Sequence, residues 1–235
     1  MARRNKKGFI VAIDGPAGAG KSTVSRQLAL TLEGVLMDTG AMYRAVAFYA
    51  VLEGAKTARD FGGIARRLHF DMDRERQVLL VDGEDLGTKL RTEQVSAMAS
   101  SVSRFKSVRS TLTRRQRSLG RMLAQKFPVV VEGRDIGTVV FPKNRFKFFV
   151  TASAEVRAKR RLEQLKKQGV RASLKEVLKG IEERDAMDSN RAVAPLRCPE
   201  DAVIVDTSTM QIPQVVQFMH DHVRNALALR ESRNK

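Results

Sequence analysis

The chemistry of this chain starts at Gly15-Pro16-Ala17-Gly18-Ala19-Gly20-Lys21-Ser22-Thr23, whose spacing of glycines, lysine and hydroxyl residues is that of a phosphate-binding loop. Glycines let the main chain curl until successive N–H groups point inward, and the start of a following helix adds partial positive charge at the same place. Lys21 then reaches the outer phosphates of a nucleoside triphosphate. The Ser22 hydroxyl is placed to ligate Mg2+.

Three further groups have types and positions suited to anions or sugars. Thr39, Tyr43 and Arg44 follow a short apolar run, so they fall just beyond the carboxyl end of a strand, where open α/β sheets bind ligands. Core packing for Tyr43 and a surface ion pair for Arg44 are the alternatives at this point. Arg184, Asp188 and Arg191 recur at helical spacing and form one stripe, for which a solvated Arg–Asp pair is the alternative. The tail Ala192-Val193-Ala194-Pro195-Leu196 favours a docked stripe, and a docked arginine wants an anion. Lastly, Val129-Val130-Val131 ends in Glu132, like the acidic strands that face a phosphate loop across a metal site.

The elements that must position these residues read as alternating strands and helices. Apolar, β-branched runs at residues 9–13, 35–37, 128–132, 145–150 and 203–206 predict five buried parallel strands. Helical periodicity predicts helices from about Ser22, over Ala41–Leu52, Thr92–Val102, 107–126, 154–168 with Gly169 as its stop, 174–187, and 212–229. Such alternation argues a doubly wound parallel sheet. From about Ala58 the texture changes to short strands at 68–72 and 77–81 with Asp82-Gly83 as a turn, which predicts a small inserted lobe on one domain.

Composition limits the function classes. The 235 residues are 43% hydrophobic, enough for one large core, and no run of about 18 apolar residues suggests a membrane span. The basic residues at 3–7 have no apolar signal region behind them, so the expectation is a cytoplasmic protein. Cys198 is the single cysteine and stands beside Pro199, as an inert thiol would. His220 and His222 point to different sides of a helix and do not converge on a metal ion. The formal net charge of +17 calls for anionic partners, either nucleic acid or free nucleotide phosphates. Residues 91–126 carry nine Lys/Arg against Glu93 alone, but few aromatics interleave them, as stacking on single strands requires.

Together these segments resemble a known family. The phosphate loop, Asp38-Thr39-Gly40-Ala41-Met42-Tyr43-Arg44, Arg91-Thr92-Glu93, Arg114-Arg115-Gln116-Arg117, Glu132-Gly133-Arg134-Asp135-Ile136-Gly137-Thr138-Val139-Val140-Phe141-Pro142 and Glu183-Arg184-Asp185 through Asn190-Arg191-Ala192-Val193-Ala194-Pro195-Leu196 look like those of the bacterial cytidylate kinases. The resemblance covers residues 8–225. The loop marks only the P-loop superfamily; the Gly133–Pro142 and Asn190–Leu196 segments make the likeness specific.

The resemblance implies transfer of the γ-phosphoryl group of ATP to CMP or dCMP, with Mg2+, in pyrimidine nucleotide metabolism. It implies a five-stranded parallel core, a monophosphate-binding insert at 58–100 and a helical lid at 153–172; apart from the resemblance, the expectation is a monomer with no specific nucleic acid partner. Carried over by position, Arg44, Arg134 and Arg191 hold the acceptor phosphate, with Lys21, Arg157, Arg160 and Arg161 on the donor. Ser100, Arg109 and Asp135 read the cytosine edge; Arg184 and Asp188 hold the sugar hydroxyls; Thr39 and Tyr43 line the pocket. Glu132 stands where the family more often has Asp, and Thr39 where Ser is also used. A kinase for another small acceptor such as UMP, and a basic nucleic-acid-binding protein with a regulatory loop, are the rival readings.

Overall fold

The computed structural model describes residues 8–167 and 169–233. Its first strand, β1 (Ile10–Asp14), turns through the glycine loop into helix α1 (Lys21–Thr31), and the chain returns as β2 (Val35–Asp38) and α2 (Thr39–Leu52). After the excursion described below, β5 (Val129–Glu132), β6 (Phe146–Thr151) and β7 (Val203–Asp206) complete a five-stranded, wholly parallel sheet in the order β2-β5-β1-β6-β7. All five predicted strands are present.

The apolar runs behave as strands buried on both faces should. Val11, Ile13, Leu36 and Val130 pack with α1 and the last helix, α8 (Ile212–Arg233). Ala12, Met37, Val129 and Val131 pack on the opposite side with α2 and the helices of the excursion. Alternate residues of one strand thus serve two cores. At the carboxyl edge three acids end adjacent strands: Asp14 on β1, Asp38 on β2 and Glu132 on β5, the last two in register.

The excursion differs in part from the sequence reading. Residues 58–67 form a helix, α3 (Ala58–Arg67), where the sequence showed only a change of texture. Gly62 and Gly63 weaken its helical signal, and the reciprocal Thr57–Asp60 cap that starts it is the feature that reveals it. An antiparallel hairpin follows, β3 (Phe70–Asp73) and β4 (Val78–Val81), joined by residues 74–77. Asp82-Gly83 lies after β4 instead of between the strands; both residues have positive φ and bring Glu84 back to Val81.

Gln77 secures the hairpin to the sheet. Its side chain accepts from Leu36 N at 2.7 Å and donates to Gly34 O at 3.0 Å, so it covers the open edge of β2. A 3-10 turn (Gly87–Arg91) then leads to α4 (Glu93–Val102) and α5 (Lys106–Leu123). Leu79, Val81, Leu86, Leu90, Val95 and Val102 join the core of α2.

A two-helix projection, α6 (Ala154–Lys167) and α7 (Leu174–Asn190), follows β6. Ala158, Val177 and Ile181 make a small core of their own there. Met1 to Lys7 and Gln168 lie outside the described residues, and with them the N-terminal basic segment and the predicted last residue of α6. No helix among the described residues is long and apolar enough to cross a membrane.

Candidate active site

The loop between β1 and α1 has the backbone that a phosphate nest needs. Gly15, Gly18 and Gly20 all have positive φ, and at Gly15 a Cβ would stand 1.9 Å from Val150 O. Gly20 caps α1 without a side-chain bond, so the first amides of the helix remain available to an anion. The loop carbonyls are tied back instead: Pro16 O accepts from Lys21 Nζ at 2.6 Å, Ala17 O from Arg157 at 3.2 Å and Ala19 O from Thr207 at 3.1 Å. Thr23 is exposed on the first turn of α1.

Lys21 is buried. Burial and then the neighbouring Arg134 push its pKa down to about 7, against the pull of Glu132 and Asp14. An ammonium held this way gains most when a phosphate arrives.

Ser22 donates to Glu132 Oε1 at 2.9 Å, while Glu132 Oε2 is buried with no partner. Burial, and then Asp38 alongside, push the Glu132 carboxyl up from its ordinary pKa. A hydroxyl and an unsatisfied carboxylate oxygen at the phosphate loop fit a hard divalent ion that keeps several waters. Among the described residues there is no group of three or more His, Cys, Asp or Glu that could hold a metal ion.

Several further predicted residues meet around the end of β5. Asp38 caps α2 through Ala41 N at 3.1 Å and holds Arg44 at 2.6 Å, leaving Arg44 Nε buried and unpartnered. Thr39 donates to Glu132 O at 2.7 Å and so fixes α2 to β5. Beyond β5 the chain passes Arg134 and Asp135 into a π-helical turn (Ile136–Val140). Arg134 Nε donates to Asp188 at 3.1 Å. Asp135 Oδ2 accepts from Arg109 at 2.6 Å, and Arg191 NH2 lies 3.9 Å from Asp135 Oδ1. Tyr43 packs on the core and lies under the Arg109 guanidinium, 5.4 Å away, and its hydroxyl is pushed up to about 12, chiefly by burial. Arg44 is thus both in an ion pair and at the site.

The stripe of Arg184, Asp188 and Arg191 is not one helix face throughout. Arg191 leaves α7 in an extended conformation, and its Nε donates to Ala194 O. The tail folds back, with Leu196 N on Asp188 O at 2.8 Å and Ala194 at φ 52°. Arg191 still meets Asp188 at 3.8 Å, and its NH2 is buried with no hydrogen bond. Arg184 is exposed, with Arg134, Arg161 and Arg44 as like-charged neighbours and Asp188 as counter-charge.

The arginines of α6 are differently disposed. Arg157 is buried between the phosphate loop and α7, where it pairs with Asp185 at 2.7 Å. Arg160 donates to Thr207 Oγ1 and Thr207 O, and Arg161 is exposed. Ser100 is joined to the Arg109–Asp135 pair only at one remove. Its own hydroxyl donates to Ser96 O, while Ser103 Oγ donates to Ser100 O and Ser103 O accepts from Arg109.

Sequence reasoning missed three residues that build the site: Asp185, Thr207 and Asp14. The Asp14 carboxylate, 1% exposed, accepts from Ile136 N at 2.8 Å and Gly137 N at 2.7 Å. A carboxylate closing an apolar strand immediately before Gly15 was the available signal.

With this geometry in place, the relatives decide the family. The family described as cytidylate kinase matches residues 11–225. The chain belongs to the cytidylate kinase family. It is 43% identical to the cytidylate kinase of Citrifermentans bemidjiense over 97% of this chain and 98% of that protein. It is 46% identical to that of Desulforamulus reducens, over 88% of this chain and 92% of the relative. The cytidylate kinase of Pseudomonas paraeruginosa is 42% identical, over 91% and 94%.

Proposed function

We propose that this cytidylate kinase family member transfers the γ-phosphoryl group of ATP to CMP or dCMP, giving CDP or dCDP. The observation that carries the reading is the buried Arg109–Asp135 pair, a polar recognition element next in sequence to Arg134, whose charge is felt by Lys21 of the phosphate loop. Phosphoryl transfer passes through a loose transition state, so alignment and charge neutralisation do most of the work and no general base is obligatory.

Each side chain then has a task. Lys21 exchanges Pro16 O for the donor phosphates, and Arg157, Arg160 and Arg161 neutralise the rest of the ATP charge. Arg44, Arg134 and Arg191 grip the acceptor phosphate through forked hydrogen bonds; the unpartnered Arg44 Nε and Arg191 NH2 support this. Arg109 and Asp135 read the base, Ser100 closes on it from α4, Arg184 and Asp188 hold the sugar, and Thr39 and Tyr43 line the pocket. Ser22 and Glu132 would hold Mg2+, which when bound would screen the phosphate oxygens and orient the leaving group.

Residues 58–100 form the monophosphate-binding insert, and 153–172 a lid whose closure excludes water. The separate core of α6 and α7 supports a lid that moves as a unit. The protein works as a cytoplasmic monomer. A coupled ADP-release assay over the nucleoside monophosphates tests the reading: CMP and dCMP turn over fastest, and no ADP release with either overturns it.

A further inference from the structure

Asp14 is the least explained charge in the molecule. It ends β1 next to Gly15, is almost wholly buried, and makes no ion pair within 4 Å among the described residues. Both oxygens accept from consecutive backbone amides of the turn that follows Arg134 and Asp135. That turn needs an outside acceptor, because Asp135 at its start caps nothing with its side chain. Burial pushes the Asp14 carboxyl up to about 6, so the ionised form is held at neutral pH at a cost to the fold.

The local packing leaves the fork no slack. A Cβ on Gly137 would stand 3.0 Å from Pro199 Cγ, 3.2 Å from Lys147 Cδ and 3.3 Å from Asp14 Oδ2. Lys147 itself is fixed by Pro142 O at 2.6 Å and Asp201 at 2.8 Å. The turn is therefore clamped between the β1 carboxylate and the 199–201 segment, and Arg134 and Asp135 stand immediately before the clamp.

We infer that Asp14 is a positioning residue for the acceptor half of the site: its two hydrogen bonds tie the Arg134-Asp135 segment to the strand that carries the phosphate loop. Acceptor phosphate and base are thereby held at a fixed distance from the donor. This rests on the reading that Arg134 and Asp135 contact the monophosphate. A neutral amide cannot replace the carboxylate, since Asn presents one acceptor and one donor to two N–H groups.

The test uses Asp14→Asn and Gly137→Ala in the full chain, with folding checked by circular dichroism and thermal melting. Gly137→Ala keeps every hydrogen-bonding group but displaces the clamp, so it covers the case in which Asp14→Asn does not fold. The expected result is a rise of about tenfold or more in KM for CMP, and a smaller CMP-to-UMP ratio of kcat/KM, in either variant. In Gly137→Ala, which leaves the Asp14 charge beside Lys21 in place, ATP binding measured alone by calorimetry changes by less than about threefold. A folded variant with normal KM for CMP and unchanged base preference, or a folded Gly137→Ala with equal losses for ATP and CMP, overturns the inference. If the unmodified protein does not phosphorylate CMP, the functional reading has failed and not the role of Asp14 as a clamp, which hydrogen exchange at the Ile136 and Gly137 amides then tests directly. Exchange there as slow in Asp14→Asn as in the parent removes the clamp as well.

Discussion

Arg109 and Asp135 meet at 2.6 Å with their side chains 4% and 8% exposed, an ion pair joined across 26 positions of sequence before any ligand arrives. Preforming a buried pair removes the need to order two charged groups during binding. It also fixes polarity: an acceptor stands beside a donor.

On the proposed reading that Arg109 and Asp135 contact the base, base choice follows from that polarity. Cytosine offers an amino donor at C4 with acceptors at N3 and O2, which suits Asp135 and Arg109 respectively. Uracil reverses C4 and N3, leaving buried groups unpaired at about 1 to 3 kcal/mol each. The expected result is kcat/KM for CMP on the order of a hundredfold above UMP. Arg109→Met narrows the gap through loss of CMP activity, and lowers stability by about 1 to 3 kcal/mol, because Asp135 loses its hydrogen-bonded partner and keeps only Arg191 at 3.9 Å. Steady-state kinetics with both nucleotides and urea unfolding check the two halves separately; equal kcat/KM for CMP and UMP in the unmodified protein rejects the role.

The parts of this site legible in sequence are those encoded locally. The phosphate loop is a contiguous pattern between a strand and a helix, so Gly15 to Thr23 and the parallel sheet could be read directly. Thr39, Arg44 and Glu132 were legible because strand ends place them. Asp14, Asp185 and Thr207 act through partners 122, 28 and 188 positions away, on Ile136, Arg157 and Ala19, and no periodicity encodes such pairs. Ser100 shows the converse: the resemblance carries its role across, while here its hydroxyl stays within α4.

Metal affinity provides a second test. Ser22 and Glu132 are hydrogen-bonded at 2.9 Å, and Glu132 Oε2 is unsatisfied. Glu132→Gln keeps the shape and removes the charge. The Mg2+ concentration for half-maximal activity should rise about tenfold or more, and Mn2+ binding to the enzyme–ADP complex, followed by electron paramagnetic resonance, should weaken in parallel. Unchanged Mn2+ binding would remove Glu132 from the metal site.

Lys21 gives the sharpest pH signature. Its pKa, about 7 in the folded, ligand-free chain, lies below the ordinary lysine value of 10.5. Between those two values the unfolded chain binds more protons than the folded one, so this group makes stability rise with pH across that window; below about 7 the cost of the buried charge is fully in place. Lys21→Met should therefore melt higher than the parent near neutral pH, with the difference shrinking as pH rises toward 10. Triphosphate oxygens reverse the balance by stabilising the ammonium, so ATP binding at pH 8 should take up a proton through Lys21. Calorimetry in buffers of different ionisation enthalpy reads that uptake, and Lys21→Met should abolish it while turnover falls by roughly a thousandfold. Proton uptake that persists undiminished in Lys21→Met would mean that another group titrates on binding and that Lys21 enters the site already charged.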